Sequence, residues 1–245
     1  MRILIVNPNT TASMTALIGE CGAVAASAGT VVDAVTPSMG PASIESHYDE
    51  ALAVPGLLAE IARAERESRA DAYVVACFGD PGLDAARELA RGPVVGVAEA
   101  AMRTACYLGR GFTVVTTLAR TAGRAWDLAE RYGAGPFCRN VRSCEIPVLE
   151  LEDPASAARA RITDECRRAV AEDGCDAIVL GCAGMADLAA DIAAEVGVPV
   201  VDGVAAAVRT AETLVALGLT TGSRGEYAPP PAKPYTGMLA DFQMR

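Results

Sequence analysis

Aromatic residues and histidine are scarce in this sequence. Phe, Trp and Tyr make up 4% of the 245 residues, although 51% of the residues are hydrophobic. A sizeable core is therefore available, and it must be built from Ala, Val, Leu and Ile. The one histidine, His47, cannot form a multi-histidine metal site, and its neighbourhood rich in Pro and Ser favours an exposed or loop-fixing role.

Positive charge and long apolar runs are also lacking. The formal net charge is -10, which argues against nucleic acid and against an anionic membrane surface as partners. No apolar run reaches the ~20 residues of a membrane-spanning helix, and the opening "MRILIVNPNT" is too short for the core of a signal peptide. We therefore expect a cytoplasmic protein that acts on a small molecule.

Several sequence signatures of cofactors and nucleophiles are missing. The eight cysteines include no C-x-x-C pair, and neither a G-x-S-x-G motif nor a Walker loop occurs. Two G-x-G-like segments are too weak to indicate a dinucleotide, and no lysine lies beside a candidate site for a pyridoxal Schiff base. The sequence predicts neither a metal ion nor an organic cofactor, and the cysteines of a cytosolic chain should be reduced thiols.

What the chain does contain is an internal repeat. The segment "DAYVVACFGDPGL" (71–83) aligns without a gap with "DAIVLGCAGMADL" (176–188). The alignment places Cys77 opposite Cys182, and a glycine stands two positions after each cysteine. A chance buried cysteine need not recur at the same place in both halves, so this pair differs from the other six cysteines.

The repeat continues beyond the cysteines. "PVVGVAEAAMRTA" (93–105) corresponds to "PVVDGVAAAVRTA" (199–211), and "RILIVNPNT" (2–10) corresponds more weakly to "FTVVTTLAR" (112–120). Val- and Ile-rich runs alternate with longer amphipathic segments, which is typical of parallel strands covered by helices on both faces. We predict strands at 2–6, 30–35, 72–77, 93–97, 112–116, 140–146, 177–182 and 198–201, and helices at 11–27, 49–69, 82–91, 98–108, 119–132, 155–173, 185–196 and 203–217.

The predicted fold class is α/β, with two pseudo-symmetric, doubly wound lobes that each contain a parallel sheet. We place the first lobe at residues 1–97 plus 205–245 and the second at 98–204, with the active site in the cleft between them. In such folds, ligands bind beyond the carboxyl ends of the strands. Cys77 and Cys182 occupy equivalent strand ends, so the two thiols should face each other across the cleft.

Two facing thiols suit the inversion of a stereocentre. One thiolate removes a proton from carbon while the opposite thiol delivers a proton to the other face, and the reverse reaction exchanges the two roles. Helix N-termini beyond Gly79 and Gly184 should lower the thiol pKa and bind a developing oxyanion. Because reacting atoms approach to ~3–3.5 Å, we expect the sulfurs roughly 6–7 Å apart, too far for a disulfide. A packing role inherited by duplication is the alternative.

Motifs along nearly the whole chain carry a resemblance to a known family. They are "NPNTT" (7–11), "GPASIES" (40–46), "ACFGDPGL" (76–83), "VGVAEAA" (95–101), "VVTT" (114–117), "LGCAGM" (180–185) and "VDGVAAAV" (201–208). With these motifs the sequence resembles the aspartate/glutamate racemase superfamily, and within it the hydantoin and allantoin racemases. The resemblance implies two α/β lobes, racemisation without a cofactor, Cys77 and Cys182 as the acid/base pair, and a homo-oligomer.

The resemblance also implies a substrate pocket around the two cysteines. Its residues would be Pro8, Asn9, Ser43, Ile44, Glu45, Phe78, Gly79, Thr116, Thr117, Ala183 and Gly184. Thr116 and Thr117 should offer donors to a substrate carbonyl, and the loop at 43–45 looks like the specificity loop of the family. Turn capping is the alternative for Asn9 and both threonines, and a solvated loop carboxylate is the alternative for Glu45.

Several other functions fit parts of the pattern. Because no Arg or Lys lies near either cysteine motif in the sequence, a cyclic ureide is favoured over a free amino acid as substrate, but the sequence does not separate allantoin from aryl or alkyl hydantoins. An amino-acid racemase, a maleate isomerase or an arylmalonate decarboxylase is the enzymatic alternative, and the decarboxylase family keeps one of the two cysteines. A two-lobed solute-binding protein is the non-enzymatic alternative.

The Pro-rich segment at 226–242 should form an extended arm.

Overall fold

The computed structural model describes residues 1–67, 70–153 and 155–243. Within these ranges, strands alternate with helices and form two four-stranded sheets. The first sheet contains β1 (Arg2–Val6), β2 (Val31–Val35), β3 (Ala72–Val75) and β4 (Val94–Gly96). The second contains β5 (Phe112–Thr116), β6 (Cys138–Ser143), β7 (Ala177–Leu180) and β8 (Val200–Val201).

Helices connect these strands in the described part of the chain. They are α1 (Ala12–Ala25), α2 (His47–Arg66), α3 (Leu83–Leu89), α4 (Val97–Ala105), α5 (Ala122–Arg131), α6 (Ala158–Asp173), α7 (Ala189–Val196) and α8 (Gly203–Ala216). Short 3₁₀ segments stand directly before α5 (Ala119–Thr121) and α7 (Ala183–Leu188). None of the described helices combines the length and the apolar character that crossing a bilayer requires.

Both sheets are parallel and share one strand order. The order is β2-β1-β3-β4 in the first sheet and β6-β5-β7-β8 in the second. Val6 at the end of β1 pairs with Val75 of β3, and Val115 near the end of β5 pairs with Leu180 of β7. The inner strands therefore end at matching levels in the two halves, and the α/β fold class predicted from the sequence is confirmed.

The core consists largely of aliphatic side chains, as the scarcity of aromatics requires. All residues of β3, β5 and β7 are buried, and their near-continuous apolar runs are typical of central strands in parallel sheets. Tyr73 and Phe112 are the largest fully buried side chains. One cluster of buried residues extends from β1 and β3 through α4 to β5 and β7, so the two sheets share a continuous core.

We propose that the chain divides into two lobes, 1–97 plus 205–245 and 98–204. All strands of the first sheet fall in the first range, and all strands of the second sheet fall in the other. Helix α8 follows the last strand of the second sheet but packs on α1, β3 and β4 of the first range as well as on α4, and the contacts with the first sheet support its assignment to the first lobe. Residues 244 and 245 of that lobe lie outside the described residues.

The main differences from the predicted boundaries lie at strand ends. β3 and β7 end at Val75 and Leu180, so both cysteines lie in the loops that follow rather than in the strands. β6 spans Cys138–Ser143 instead of 140–146, because Glu145 adopts a positive φ of 52° that interrupts the extended backbone. The helix predicted at 49–69 ends at Arg66, and its last two predicted residues lie outside the described residues.

Candidate active site

Cys77 and Cys182 line one pocket at the carboxyl ends of both sheets. Cys77 lies in the loop between β3 and α3, and Cys182 directly precedes the 3₁₀ segment before α7. Both cysteines are free thiols of intermediate exposure. The fold therefore brings the two cysteines of the repeat into one cavity.

Each cysteine begins a tight turn. Asp80 donates its N–H to the carbonyl of Cys77 at 2.9 Å, and Met185 donates to the carbonyl of Cys182 at 3.1 Å. The first turn is strained, because Asp80 has a φ of +45°, a conformation that residues other than glycine rarely adopt. The two turns direct the chain from a central strand into the next helix while leaving each thiol at the pocket.

Burial and backbone hydrogen bonding act on the thiols in opposite directions. Burial raises the pKa of Cys77 to about 12 and that of Cys182 to about 11. The backbone N–H groups of Gly79 and Gly184 lower the two pKa values, in the direction expected from the sequence, but by less. The expectation of a net lowered thiol pKa is therefore wrong in this pocket, because removing a thiolate from water costs more than one N–H donor returns.

Asp80 holds the Cys77 turn in place. Its buried carboxylate accepts hydrogen bonds from the N–H groups of Ala98 at 3.1 Å and Glu99 at 2.9 Å, and from the hydroxyl of Tyr132 at 2.7 Å. The first two donors belong to the N-terminal turn of α4, which lacks a capping side chain of its own. One carboxylate thus joins the turn after β3 to α4 and to the helix that ends beside Tyr132.

Asn9 forms a polar wall of the pocket. Its side-chain oxygen accepts hydrogen bonds from the N–H of Thr11 and the amide of Asn7, both at 2.9 Å. Its amide nitrogen donates to the sulfur of Met14 at 3.2 Å, and a thioether is a weak acceptor. The side chain is therefore fixed through its oxygen, while its N–H₂ group retains donor capacity for a ligand.

The pocket contains most of the residues named from the sequence. Asn9, Ile44, Cys77, Phe78, Gly79, Thr116, Thr117, Cys182, Ala183 and Gly184 line it. Pro8, Ser43 and Glu45 lie in the adjoining loops and do not line it. The carboxylate of Glu45 accepts the N–H of Val148 at 2.7 Å, so Glu45 joins the loop before α2 to the segment that follows β6.

Four charged or ionisable residues line the pocket that sequence reasoning did not assign to it. They are His47, Glu50, Arg120 and Arg124. The two arginines follow Thr116 and Thr117 by a few residues. The repeat makes the end of β5 equivalent to the end of β1, where Asn9 lies, and this equivalence is the signal that could have identified them. Arg120 and Arg124 are distant from the cysteine motifs along the sequence but line the same pocket.

Arg124 crosses the cleft. Its guanidinium donates to the carbonyl of Gly79 at 2.7 and 3.1 Å and lies 3.5 Å from the carboxylate of Glu50. Gly79 has no side chain, and a Cβ there would overlap the same carboxylate. Glycine two residues after Cys77 thus lets the Glu50 carboxylate and the Arg124 guanidinium lie close to the backbone.

No group of three or more His, Cys, Asp and Glu side chains in the described part of the chain is arranged to hold a metal ion. Two thiols, polar walls from Asn9 and the threonines, and a charged mouth can bind a small polar molecule and exchange a proton with it.

Comparison with known proteins identifies relatives along nearly the whole chain. The family described as Asp/Glu/Hydantoin racemase matches residues 3–211. The chain is 48% identical to a hydantoin racemase of Rhizobium meliloti over 237 residues, which cover 97% of this chain and 98% of that protein. It is 43% identical to a hydantoin racemase of Paenarthrobacter aurescens, with coverage of 96% and 100%.

Solved structures are similar as well. An allantoin racemase from Klebsiella pneumoniae matches with a TM-score of 0.96 and 46% identity, covering 99% of each chain. An arylmalonate decarboxylase matches with a TM-score of 0.62 and 20% identity, covering 93% of this chain and 97% of that one. The second likeness concerns the fold alone.

Proposed function

The chain belongs to the Asp/Glu/hydantoin racemase family and is accordingly an isomerase of the racemase class; we propose that its substrates are 5-substituted hydantoins, a class that includes allantoin. The observation that carries the proposal is the presence of Cys77 and Cys182 in one pocket at equivalent positions of the repeat. The hydantoin and allantoin racemases that resemble this chain favour a cyclic ureide over a free amino acid.

In the proposed mechanism, the two cysteines exchange roles between enantiomers. One thiolate takes the proton at C5, and the opposite thiol gives a proton to the other face of the same carbon. The C5–H bond breaks with its electron pair delocalised into the adjacent ring carbonyl, so charge develops on that oxygen. Donors such as the amide of Asn9 would stabilise this charge. The proton finally resides on the first sulfur, and solvent exchange resets the pair.

Serine variants test the assignment. Cys77→Ser and Cys182→Ser should each lower racemisation by about a thousandfold or more, because a serine hydroxyl is too weak an acid to replace either thiol. In heavy water, each variant keeps one competent sulfur, which can remove a proton from one enantiomer and return a deuteron to the same face. NMR of recovered enantiopure hydantoin should therefore show exchange without inversion, with opposite enantiomer preferences in the two variants.

A matched control separates this effect from general loss of a thiol. Cys106 does not line the pocket, and its thiol donates to the carbonyl of Met102, a bond that a serine hydroxyl can keep. Cys106→Ser should therefore racemise normally. If Cys182→Ser also racemised at a near-normal rate, or if both pocket variants exchanged the same enantiomer, the two-base assignment would be wrong.

A substrate screen tests the proposed class directly. Enantiopure 5-substituted hydantoins, allantoin, aspartate and glutamate are incubated with the protein, and optical rotation is followed. We expect rotation to decay for a hydantoin and to persist for the amino acids. Racemisation of aspartate or glutamate without turnover of any hydantoin would replace the proposal with an amino-acid racemase.

We further propose that no metal or organic cofactor takes part. The adjacent carbonyl already acidifies the C5 proton, so the two thiols and a few N–H donors can suffice. Activity should survive exhaustive chelation and hydroxylamine but not a thiol alkylator. Inhibition by a chelator that one added metal reverses would contradict this proposal.

We also propose a cytoplasmic location and a homo-oligomer. All eight cysteines are free, which suits a reducing compartment. The segment after α8 is largely exposed, including Met238 at 97%, which suits an arm that packs on another copy. Cell fractionation and sedimentation measure the two properties, and a periplasmic or a strictly monomeric protein would contradict them.

A further inference from the structure

We propose that Arg120 determines specificity by binding a carbonyl or carboxylate oxygen on the 5-substituent of the substrate. The inference rests on the proposed hydantoin racemase function and deepens it. It names the substrate class as hydantoins whose 5-substituent ends in a ureido or carboxylate group, rather than in an aryl or alkyl group.

The charges at the pocket leave Arg120 without a partner. Glu50 is the one acidic residue that lines the pocket in the described part of the chain, and its carboxylate lies 3.5 Å from Arg124 and 3.8 Å from His47. Arg124 also donates twice to a backbone carbonyl. Arg120 makes no hydrogen bond or ion pair with any residue that the structure describes. Its guanidinium is therefore the available cation of the pocket.

The backbone that carries Arg120 is held firmly even though the side chain is free. Ala119 donates its N–H to the carboxylate of Glu145 at 2.8 Å, and the hydroxyl of Thr121 donates to the carbonyl of Leu118 at 2.8 Å. Glu145 also accepts the hydroxyl of Ser143 at 2.6 Å, which holds the carboxylate beside the Ala119 N–H. A fixed backbone with a free, exposed side chain suits a ligand contact at the mouth.

Proton transfer between the two sulfurs fixes how the ring and the 5-substituent are placed in the pocket. When C5 loses its proton it becomes planar, and the ring and the substituent lie in the plane between the two sulfurs, on opposite sides of C5. The buried polar wall around Asn9 and Thr116 suits the ring, which carries the carbonyls and N–H groups. The substituent then extends towards the exposed mouth, where Arg120 lies. A guanidinium pairs well with carbonyl and carboxylate oxygens.

Three substrates of similar size test the proposal. Allantoin carries a neutral ureido group, 5-(2-carboxyethyl)hydantoin an anionic group and 5-isobutylhydantoin an apolar one. Arg120→Gln should lower kcat/KM by about tenfold for the first two, as expected for loss of one charge-assisted hydrogen bond at a partly solvated site, and by less than about twofold for the third. Added salt should weaken the wild-type preference for the carboxylate more than that for the ureido group.

Two further variants sharpen the result. Arg120→Lys should recover part of the loss with the carboxylate, since it keeps the charge, but little with allantoin, because it lacks the planar fork. Arg224→Gln removes the same charge from an exposed position outside the pocket and should change none of the three. Because Arg120 has no partner in the described structure, thermal unfolding of Arg120→Gln should match the wild type.

Binding gives a readout that is independent of turnover. Hydantoins with a methyl group replacing the C5 proton cannot racemise, and calorimetry with carboxyethyl and isobutyl versions should show that Arg120→Gln weakens the first selectively. Equal losses for all three substrates, or none, would overturn the role of Arg120 while leaving the racemase intact. Racemisation of none of them by the wild type would overturn the proposed function itself, and the inference with it.

Discussion

In the proposed two-base mechanism, the two thiols need different protonation states at the same time, since one must be a thiolate and the other a thiol. Because burial raises the pKa of Cys77 to about 12 and of Cys182 to about 11, both are protonated in the free protein at neutral pH. The reactive form has lost one proton. Its abundance rises as the pH approaches the lower of the two values, and falls again once both thiols ionise.

The pH profile of the activity follows from these two pKa values. Between about pH 7 and pH 9, kcat/KM should rise close to tenfold per pH unit, because kcat/KM reports the protonation state of the free enzyme. Spontaneous racemisation without protein is measured in each buffer and subtracted. Inactivation by iodoacetamide depends on the same thiolate and should accelerate in parallel. A level profile over this range would mean that a thiolate is already present at neutral pH.

The residues of the site could be predicted from the sequence only where the repeat or the family motifs marked them. Cys77 and Cys182 stand out because their surroundings repeat. Arg124 could not be found this way, since it belongs to a helix after β5 and reaches the Gly79 carbonyl across 45 residues of sequence. The charges that surround a thiol come from elements packed against it, and sequence proximity does not report them.

At the scale of elements, the two halves cap equivalent helices by different means. Asp202 is the N-cap of α8, and its carboxylate accepts from the N–H groups of Val204 at 2.9 Å and Ala205 at 2.8 Å. The equivalent position before α4 is Gly96. The same offset between the repeats aligns the two capped N–H groups of α4 with those of α8. The carboxylate of Asp80 supplies this cap and occupies the space of a Cβ at Gly96.

Because Asp80 caps α4 in place of a residue at position 96, the effects of changes at these two positions on stability should be coupled. Gly96→Asp should lower the free energy of unfolding by roughly 2 kcal/mol or more, because a second carboxylate must enter the space of the first. Asp80→Gly should lower it by about 1–2 kcal/mol through loss of the cap. In the double variant, the carboxylate introduced at position 96 can cap α4 as Asp202 caps α8, and glycine tolerates the positive φ at position 80.

A double-mutant cycle in urea measures the coupling. We expect the double variant to be more stable than the sum of the single losses predicts, by at least about 1 kcal/mol. Asp202→Asn provides the comparison, since it weakens the corresponding cap without a partner to compensate. Strictly additive losses at positions 80 and 96 would show that the two carboxylates cannot exchange roles.

Two inner strands could be predicted from the sequence to the residue. β1 and β5 begin and end at the predicted residues, since their runs are largely apolar and buried. β3 and β7 are fully buried as well but end two residues earlier than predicted, because apolar residues continue into the loops that carry the cysteines. The predicted bounds of the outer strand β6, 140–146, lie two to three residues beyond the observed bounds, Cys138–Ser143. Its residues are only partly buried, and its end depends on the backbone conformation of Glu145, which no apolar pattern reports.

For the whole molecule, two bridges join the proposed lobes on either side of the pocket. Arg124 of the second lobe binds the Gly79 carbonyl of the first, and Glu45 of the first binds the N–H of Val148 of the second. The first bridge lies beside Cys77 and the second beside Cys182, whose pKa Glu45 raises by its negative charge. At Cys182, the bridge between the proposed lobes and the acidity of the thiol are therefore linked through one side chain, that of Glu45.

Variants at Glu45 separate these two effects. Glu45→Gln keeps an oxygen that can accept the Val148 N–H but removes the charge, so the pKa of Cys182 should fall and its alkylation at about pH 8 should become about two- to fivefold faster. Glu45→Ala removes the acceptor as well, so amides around Val148 should also exchange faster with heavy water. Mass spectrometry resolves both readouts by site, in a Cys77→Ser background.

Glu50→Gln is the matched control, because Glu50 raises the pKa of Cys77 instead, and Cys182 should then react as before. If Glu45→Gln left the alkylation of Cys182 unchanged while Glu45→Ala accelerated it, the bridge alone, and not the charge, would control access to that thiol.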